Sequence, residues 1–394
     1  MIKFTLPKDV SEIIKRVESA GFEIWCVGGC VRDMLRGISP DDYDLCSNAA
    51  PEDIMRLFEK TVPTGIKHGT VTVMLNGVAF EITRYRIDGE YTDSRRPDSV
   101  CFTSDIRKDL ERRDFTMNAI AYHPKRGIFD LFSGAEDIKK KIIRTVGNPE
   151  LRFSEDALRI LRAVRFSAVT GFSIESETEI AMKLMAEKLS LESRERIRVE
   201  TVKALSSPKP SALQPLIDKG GFRHMGLGNA DISVLDSISA DALLRFAALC
   251  FICGADTEST AKAFRFSKDE ISKICGFGEI FSSEEPKISL FKSCIQNLGY
   301  CGVRLAAKTQ GILYKKDNSD IIAALEKAEQ NDEPYCLKML ALKSKDIMEL
   351  GFKGEKIGEI QKMLLDAVLK NPALNSKEKL SQLILKKNEN NITK

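Results

Sequence analysis

The chain has 394 residues, 43% of them hydrophobic and 30% charged, a globular balance with length for about two to four domains. Sixty Lys and Arg against 57 Asp and Glu leave a net charge of +3, which excludes a polycation but allows a basic groove on one face, because net charge averages over the whole surface. No stretch approaches the ~20 uninterrupted apolar residues of a membrane span, and the opening MIKFTLPKDV has no secretory apolar core, so a cytoplasmic chain without membrane contact is expected.

Up to about residue 145 the pattern is mixed. Residues 8–20 carry helical apolar spacing and stop at Gly21, a natural C-cap residue. FEIWCV (22–27) reads as a strand, followed by Gly28-Gly29 and a short helix through Leu35 that ends at Gly37. Residues 41–46, DDYDLC, alternate acidic and larger side chains as an exposed strand does. Pro51 opens a helix reaching about Lys60. VTVML (71–75) and VAFEITRY (78–85), joined by Asn76-Gly77, predict a hairpin with a two-residue turn. After about residue 146 the strand signals fade. ESETEIAMKLMAEKL, SRERIRVETVKAL, DALLRFAALCFIC and GEKIGEIQKMLLDAVLK have helical periodicity, and Gly or Pro separates them. No fixed-period repeat is present. Residues 376–394 hold five lysines and two glutamates, a basic helix trailing into NENNITK. The expected fold is an α+β first part, a small mixed sheet with helices, followed by an all-α remainder.

Ten cysteines are scattered through a long chain, which argues for free thiols rather than a disulfide scaffold. Cys250 and Cys253 lie close together, but no second pair or histidine is near, so buried helical thiols are expected there rather than zinc. Three histidines, His68, His123 and His224, are too few for a histidine metal centre or an easily assembled Ser–His–Asp triad. Catalysis in this chain should lean on carboxylates and arginines.

Three constellations carry such chemistry. In the first, Gly28-Gly29-Cys30-Val31-Arg32-Asp33 precedes Asp42 and Asp44. Paired glycines between a strand and a helix let backbone N–H groups approach a phosphate, and Arg32 adds a cationic fork one turn later. A glycine pair alone is equally well a plain turn. Two aspartates spaced i, i+2 on a strand, however, point to one face about 6.6 Å apart. That suits two divalent ions about 3.5–4 Å apart, bridging a triphosphate and activating a hydroxyl. Hard oxygen ligands without histidine point to Mg²⁺. Glu81, between Phe80 and Ile82, is either a third carboxylate of this site or a surface charge on an edge strand.

The second constellation is Arg112-Arg113-Asp114-Phe115-Thr116-Met117-Asn118. It can hold phosphates and a ribose hydroxyl, or equally be a helix start with surface arginines. Asp130 and Asp137 are explained by a helix beginning after Gly134. The third runs from Arg152 through Glu155, Asp156, Arg159, Arg162 and Arg165 to Phe166. Continued as one helix, it places Glu155, Arg159 and Arg162 along one face with Asp156 beside them. The face is either a set of self-paired salt bridges or a reader of base edges. Cytosine and adenine both present an exocyclic amine beside an unprotonated ring nitrogen. A carboxylate accepting from the amine and a guanidinium donating to the nitrogen would select both, and Asp156 and Arg159 have that chemistry.

Taken together, GGCVRD…DDYD, the hairpin with FEITRYR, ERRDFTMNAIAY, FDLFSGAEDI, RFSEDALRILRAVRF and SRERIRVE resemble, in order, the motifs of class II tRNA nucleotidyltransferases, the bacterial-type CCA-adding enzymes of the polymerase-β-like superfamily. The resemblance covers roughly residues 20–205. It implies a nucleotidyltransferase head over 1–145, a helical neck over 146–205, a body over 206–305 and a tRNA-binding tail over 306–394. By the same resemblance, Gly28, Gly29 and Arg32 would hold the triphosphate. Asp42 and Asp44 would bind the catalytic metals, with Glu81 a third carboxylate. Arg113, Asp114 and Asn118 would contact the ribose and phosphates, and Glu155, Asp156 and Arg159 would select the base. Arg162 would support the triphosphate or the reading helix, and the helix around Glu195–Glu200 would brace the neck.

The reaction implied is template-independent addition of CMP, CMP and AMP to the tRNA 3′ end from CTP and ATP, with Mg²⁺ as cofactor. Partial addition of CC or A, poly(A) synthesis, and a non-catalytic RNA-binding protein with a relict head are the alternatives. The intact acidic pair argues against the relict. Related poly(A) polymerases carry a GRRF-like basic segment that GTVTVMLNGVAFEITRYR lacks, and the loop DGEYTDSRRPDSV (88–100), with Gly89, Asp93, Arg95, Arg96 and Pro97, favours full CCA completion over CC addition. In SPDDYDL, Asp42 pairs with Asp44 and leaves Asp41 outside the pair. Clusters such as IRKDLERR and the basic C-terminal helix suit an RNA backbone.

Overall fold

The computed structural model describes residues 4–88 and 100–392 and divides into two compact units, Met1–His224 and Met225–Lys394. In the first unit, α1 (Lys8–Ser19) buries Val10, Ile13, Ile14 and Val17, one helical stripe. The chain turns at Gly21, whose φ is +87°. Strand β1 (Ile24–Val27) is buried at every residue, as a continuous apolar run in a sheet centre must be. It leads through Gly28 into α2 (Gly29–Leu35). After β2 (Leu45–Ser47) and α3 (Pro51–Leu57) come β3 (Thr61–Gly65), β4 (Thr70–Leu75) and β5 (Val78–Arg84). Asn76 and Gly77 take φ of +50° and +83°, the doubly positive turn expected of that hairpin.

Strands β6 (Arg86–Asp88) and β7 (Val100–Phe102) pair antiparallel. The expected loop with Gly89, Asp93, Arg95, Arg96 and Pro97 lies between them, outside the described residues. Then follow α4 (Ile106–Glu111), β8 (Ile120–His123), β9 (Gly127–Asp130) and α5 (Gly134–Lys140). Gly134 is required where it stands, since a Cβ there would lie 2.1 Å from the Thr116 carbonyl oxygen. Asp130 accepts the Gly134 and Ala135 N–H groups at 2.9 Å each, and Asp137 sits in the first turn of α5, as the helix reading predicts. The seven strands of the main sheet run β3-β4-β5-β2-β1-β8-β9. All neighbours are antiparallel except β2 and β5, which are parallel with Leu45 opposite Ile82.

Three expectations need correction. The strand over 41–46 begins only at Leu45. Leu45, Cys46 and Ser47 are all buried, and a strand flanked on both sides has no room for unpaired aspartates, so Asp42 and Asp44 stay in the loop that feeds it. The Pro51 helix stops at Leu57, and the chain turns extended at Phe58 to make β3, an exposed edge strand that tolerates Pro63. The single helix through the Arg152–Phe166 constellation is two helices, α6 (Pro149–Glu155) and α7 (Leu158–Thr170), broken at Asp156 with φ −147° and ψ 101°.

Strand pairing also persists past residue 146. Strand β10 (Ile142–Ile143) pairs in parallel with β11 (Ser173–Ile174). The first unit continues with α8 (Ser176–Met185), α9 (Arg194–Leu205) and α10 (Gln214–Asp218). The second unit is helical. It begins with the apolar α11 (Ala242–Ile252), followed by α12 (Thr257–Ala263) and α13 (Lys268–Phe281). Helix α14 (Ile288–Tyr314) breaks at Gly299, whose φ of 68° and ψ of 168° are not helical. Helix α15 (Ser319–Gln330) precedes α16 (Ser344–Glu349), α17 (Glu355–Lys370) and α18 (Lys377–Ile392), and the last three enclose a core that includes Leu340, Ile347, Leu364, Val368, Leu380 and Ile384.

All ten cysteines are free thiols. Cys26, Cys30, Cys46, Cys250 and Cys294 are buried, and only Cys101 and Cys301 are exposed. Burial pushes the Cys30 and Cys294 thiols up to about 12. Among the described residues no helix is long and apolar enough to cross a membrane.

Candidate active site

The glycine loop sits between two guanidinium groups. At Gly28, with φ +78°, a Cβ would come within 3.2 Å of Arg113 Nη1, and at Gly29 within 3.7 Å of Arg32 Nη2. A side chain at Gly28 would be strained and would displace Arg113. Arg32 donates to Asp33 at 2.8 Å and to Asn118 Oδ1 at 3.0 Å. Arg113 is held by Asp109 at 3.1 Å, and the same buried carboxylate takes Arg112 at 2.8 and 3.0 Å and the Arg86 N–H at 3.3 Å. Burial alone would raise the Asp109 pKa, but Arg113 and Arg112 hold it below the usual carboxylate range. The sequence reading passed over Asp109, although its i, i+3 and i+4 spacing to Arg112 and Arg113 on α4 was a signal.

Next to this loop lie the acids. Asp42 and Asp44 are exposed, and Val27 N–H anchors the Asp44 carbonyl at 3.0 Å. Leu45, the first residue of β2, pairs in parallel with Ile82, which brings the preceding Asp44 near enough to Glu81 for their charges to interact. Glu81 is exposed between buried Phe80 and Ile82, so its side chain leaves the apolar face. The Asp44 carboxyl is raised by the protein packed around it and then by the charge of Asp42, with Arg113 opposing and Glu81 adding. A divalent cation would relieve that crowding. The donors are hard oxygens on an open surface, the ligand chemistry that a divalent cation such as Mg²⁺ takes, although among the described residues no three His, Cys, Asp or Glu side chains gather closely enough to hold a metal ion by themselves.

Behind the loop, charges are paired and buried. Asp114, 9% exposed, accepts the Phe115 N–H at 2.8 Å, Asn118 Nδ2 at 3.1 Å and Arg162 at 2.8 and 2.7 Å. Burial works to raise its carboxyl, yet Arg162 and Asn118 bring it down to about 2. Arg162 reaches Glu200 at 3.5 Å, and Glu200 takes Arg165 at 2.8 Å. One chain of contacts thus joins Arg32, Asn118, Asp114, Arg162, Glu200 and Arg165. Asp114 and Asn118 act inside it as holders of arginines.

The break at Asp156 separates the triplet expected to read bases. Asp156 accepts the N–H of Leu158, the first residue of α7, at 3.1 Å, and takes Arg196 of α9 at 2.9 and 3.2 Å. Glu155 pairs with Arg159 and, at 3.0 Å, with Arg152. Arg159 is only 6% exposed and also donates to the Arg152 and Arg112 carbonyls at 3.2 and 3.1 Å. Arg196 additionally donates to Glu192 at 2.6 Å, and burial pushes the Glu192 carboxyl up to about 7, with Arg196 opposing and Asp156 adding. Helix α9 therefore braces this region through Arg196 and Glu200, one turn apart, as the reading of the helix around Glu195–Glu200 anticipates. Glu192 was not singled out in the sequence.

Comparison with known proteins follows the same division. Residues 24–144 match the poly A polymerase head domain, and residues 171–225 match a probable RNA and SrmB-binding site of polymerase A. The CCA-adding enzyme of Bacillus stearothermophilus, solved in complex with CTP, superposes with a TM-score of 0.84 at 29% identity, covering 99% of this chain and 100% of that one. Over about its first half the chain is similar to bacterial CCA-adding enzymes, and the likeness of fold runs through its whole length. The CCA-adding enzyme of Leuconostoc mesenteroides is 48% identical over 203 residues, 52% of this chain and 51% of the relative. That of Oceanobacillus iheyensis is 48% identical over 209 residues, 53% and 52%. The chain thus matches about half the length of these curated relatives. The CCA-adding enzyme of Thermotoga maritima shares the fold, with a TM-score of 0.65 at 22% identity, covering 97% of this chain and 96% of that one.

Proposed function

We propose that this chain adds CMP, CMP and AMP in turn to the 3′ end of tRNA, from CTP and ATP. The observation that carries the reading is the glycine loop walled by Arg32 and Arg113 beside the exposed carboxylates of Asp42 and Asp44. Gly28 and Gly29 let the triphosphate approach the backbone, while the two guanidiniums neutralise it from either side. Asp42 and Asp44 would hold Mg²⁺, which supplies Lewis-acid activation of the 3′-hydroxyl and charge neutralisation at the phosphates. Glu81 adds a third negative charge beside Asp44. The tRNA 3′ oxygen attacks the α-phosphorus in line, the bond to the bridging oxygen breaks, and pyrophosphate leaves.

Base choice rests on Asp156 and Arg159. Asp156 keeps lone pairs beyond those used by Arg196 and Leu158, so it can accept from the exocyclic amine of cytosine or adenine. Arg159 donates to the ring nitrogen once Glu155 shares it. Arg113, Asp114 and Asn118 place the ribose and phosphates through the arginines they hold. The remaining assignments belong to the same proposal: a head over 1–145, a neck over 146–205, a body over 206–305 and a tRNA-binding tail over 306–394. The ten free thiols and the substrates suit the cytoplasm.

The test supplies transcripts ending before CCA, after C and after CC with CTP, ATP or both, and sequences the products. Extension of all three to CCA is the expected result. Extension of a single intermediate would replace the proposal with partial CC or A addition, a run of A with poly(A) synthesis, and no extension with an RNA-binding role.

A further inference from the structure

We propose that Phe166 is a positioning residue that gathers the guanidinium groups of Arg32, Arg162 and Arg165 into one triphosphate-holding cluster. The inference rests on the nucleotidyl-transfer reading and extends it to a residue that carries no charge. The guanidinium carbon of Arg165 lies 3.7 Å from the centre of the Phe166 ring, and those of Arg32 and Arg162 lie 5.3 Å from it. One of these arginines follows the glycine loop on α2, and the other two lie on α7. Phe166 is buried and is itself held edge-on by fully buried Phe115, at 5.7 Å and 84°.

Three like charges around one ring repel one another unless something holds both their edges and their faces. Carboxylates hold the edges: Asp33 takes Arg32 at 2.8 Å, Asp114 takes Arg162 at 2.7 Å and Glu200 takes Arg165 at 2.8 Å. None of those carboxylates fixes one guanidinium relative to all the others. The negative face of the aromatic ring does, because it attracts each cation while staying apolar. Burial and the neighbouring charge of Arg162 lower the Arg165 pKa against the pull of Glu200, whereas Asp114 and Glu200 raise that of Arg162 against its burial. A polyanion laid over this cluster relieves the repulsion, and the triphosphate is the part that CTP and ATP have in common.

Phe166 therefore acts on triphosphate affinity and not on base choice. Phe166→Leu keeps an apolar side chain of similar bulk but loses the ring. The expected result is a KM for CTP and for ATP raised alike, by about tenfold, as loss of cation–π attraction implies. The kcat should stay within about twofold and discrimination against UTP should not change. Replacing Phe166 with trifluorophenylalanine keeps the shape and weakens the quadrupole. In the full chain it should weaken binding of inorganic tripolyphosphate and CTP in calorimetry at an unchanged Tm.

Unchanged affinities in both variants would overturn the inference, as would a KM change confined to one nucleotide or a loss of UTP discrimination. Normal CCA addition with unaltered affinities refutes this role alone and leaves the activity standing. Phe166-dependent tripolyphosphate binding without any addition to tRNA refutes the activity and leaves this role standing. A wild-type chain that binds neither probe refutes both.

Discussion

The acids at the end of the sheet and the arginine network behind them use the same two kinds of charge in opposite ways. Asp42, Asp44 and Glu81 are exposed and set their like charges against one another. Asp109, Asp114 and Glu200 are buried, and each takes two or more hydrogen bonds from arginines or nearby amides. Under the proposed function, the difference follows from what each region would receive. A metal ion brings its own positive charge, so carboxylates meant for it must stay unneutralised and reachable by water. A triphosphate brings negative charge and length, so guanidiniums meant for it must be fixed in direction beforehand, and buried carboxylates fix them.

The sharpest way to break the comparison is Asp42→Ala. It removes one carboxylate of the proposed metal pair without touching the buried network. Nucleotide addition should fall on the order of 10³-fold, the loss expected when several kcal/mol of charge stabilisation disappears, while tRNA affinity in a filter-binding assay stays nearly unchanged. Glu200→Ala probes the opposite region. It leaves Arg162 and Arg165 without a shared buried partner, and urea unfolding should show a loss of about 3–5 kcal/mol, whereas Glu200→Gln should cost less. Near-wild-type stability in the alanine variant would mean that the network is not preorganised by its carboxylates.

Asp156→Ala lies between the two regions. Competition of CTP against UTP should show discrimination reduced about 10- to 100-fold, the scale of one lost directional hydrogen bond. Unchanged selectivity would remove Asp156 from the reading role. The smallest effect concerns His123, whose imidazole pairs with Glu18 and with neither region. Its imidazole is buried against Glu18 at 3.2 Å, with Nδ1 accepting the Lys125 and Arg126 N–H groups. Burial lowers its pKa below 6.5, although Glu18 opposes. The native chain then binds fewer protons than the unfolded one, so stability is present above 6.5 and is lost as pH falls below it. Tm should drop slightly between about pH 7.5 and pH 5.5, and His123→Asn should flatten that slope.

What the sequence made legible was local. Positive φ at Asn76 and Gly77, the glycine-bounded helix after β1 and the amphipathic stripe of α1 all follow from residues a few positions apart. The break at Asp156 did not, because no Pro or Gly marks it. An aspartate there accepts from the first N–H of α7 and answers to Arg196, 40 residues away. The same holds for Arg162 and Asp114, 48 residues apart, and for Arg165 and Glu200, 35 apart. Periodicity places charges on a helix face but does not say which distant charge will neutralise them. Strand β3 escaped because an edge strand with Pro63 and little apolar alternation resembles a loop. The acids stood out for the opposite reason: an exposed pair at i, i+2 needs no distant partner to be noticed.

The distribution of thiols has a practical consequence. With Cys101 and Cys301 at the surface and five cysteines sealed inside, an alkylating reagent should stop early at the accessible sulfurs. Each further adduct then records an opening event in a particular place: Cys26, Cys30 and Cys46 around the strands that carry the glycine loop, Cys250 and Cys294 in the helical half. Mass spectrometry of a timed alkylation would read those adducts as a built-in clock, showing whether nucleotide quiets the sheet and the helices together or one without the other.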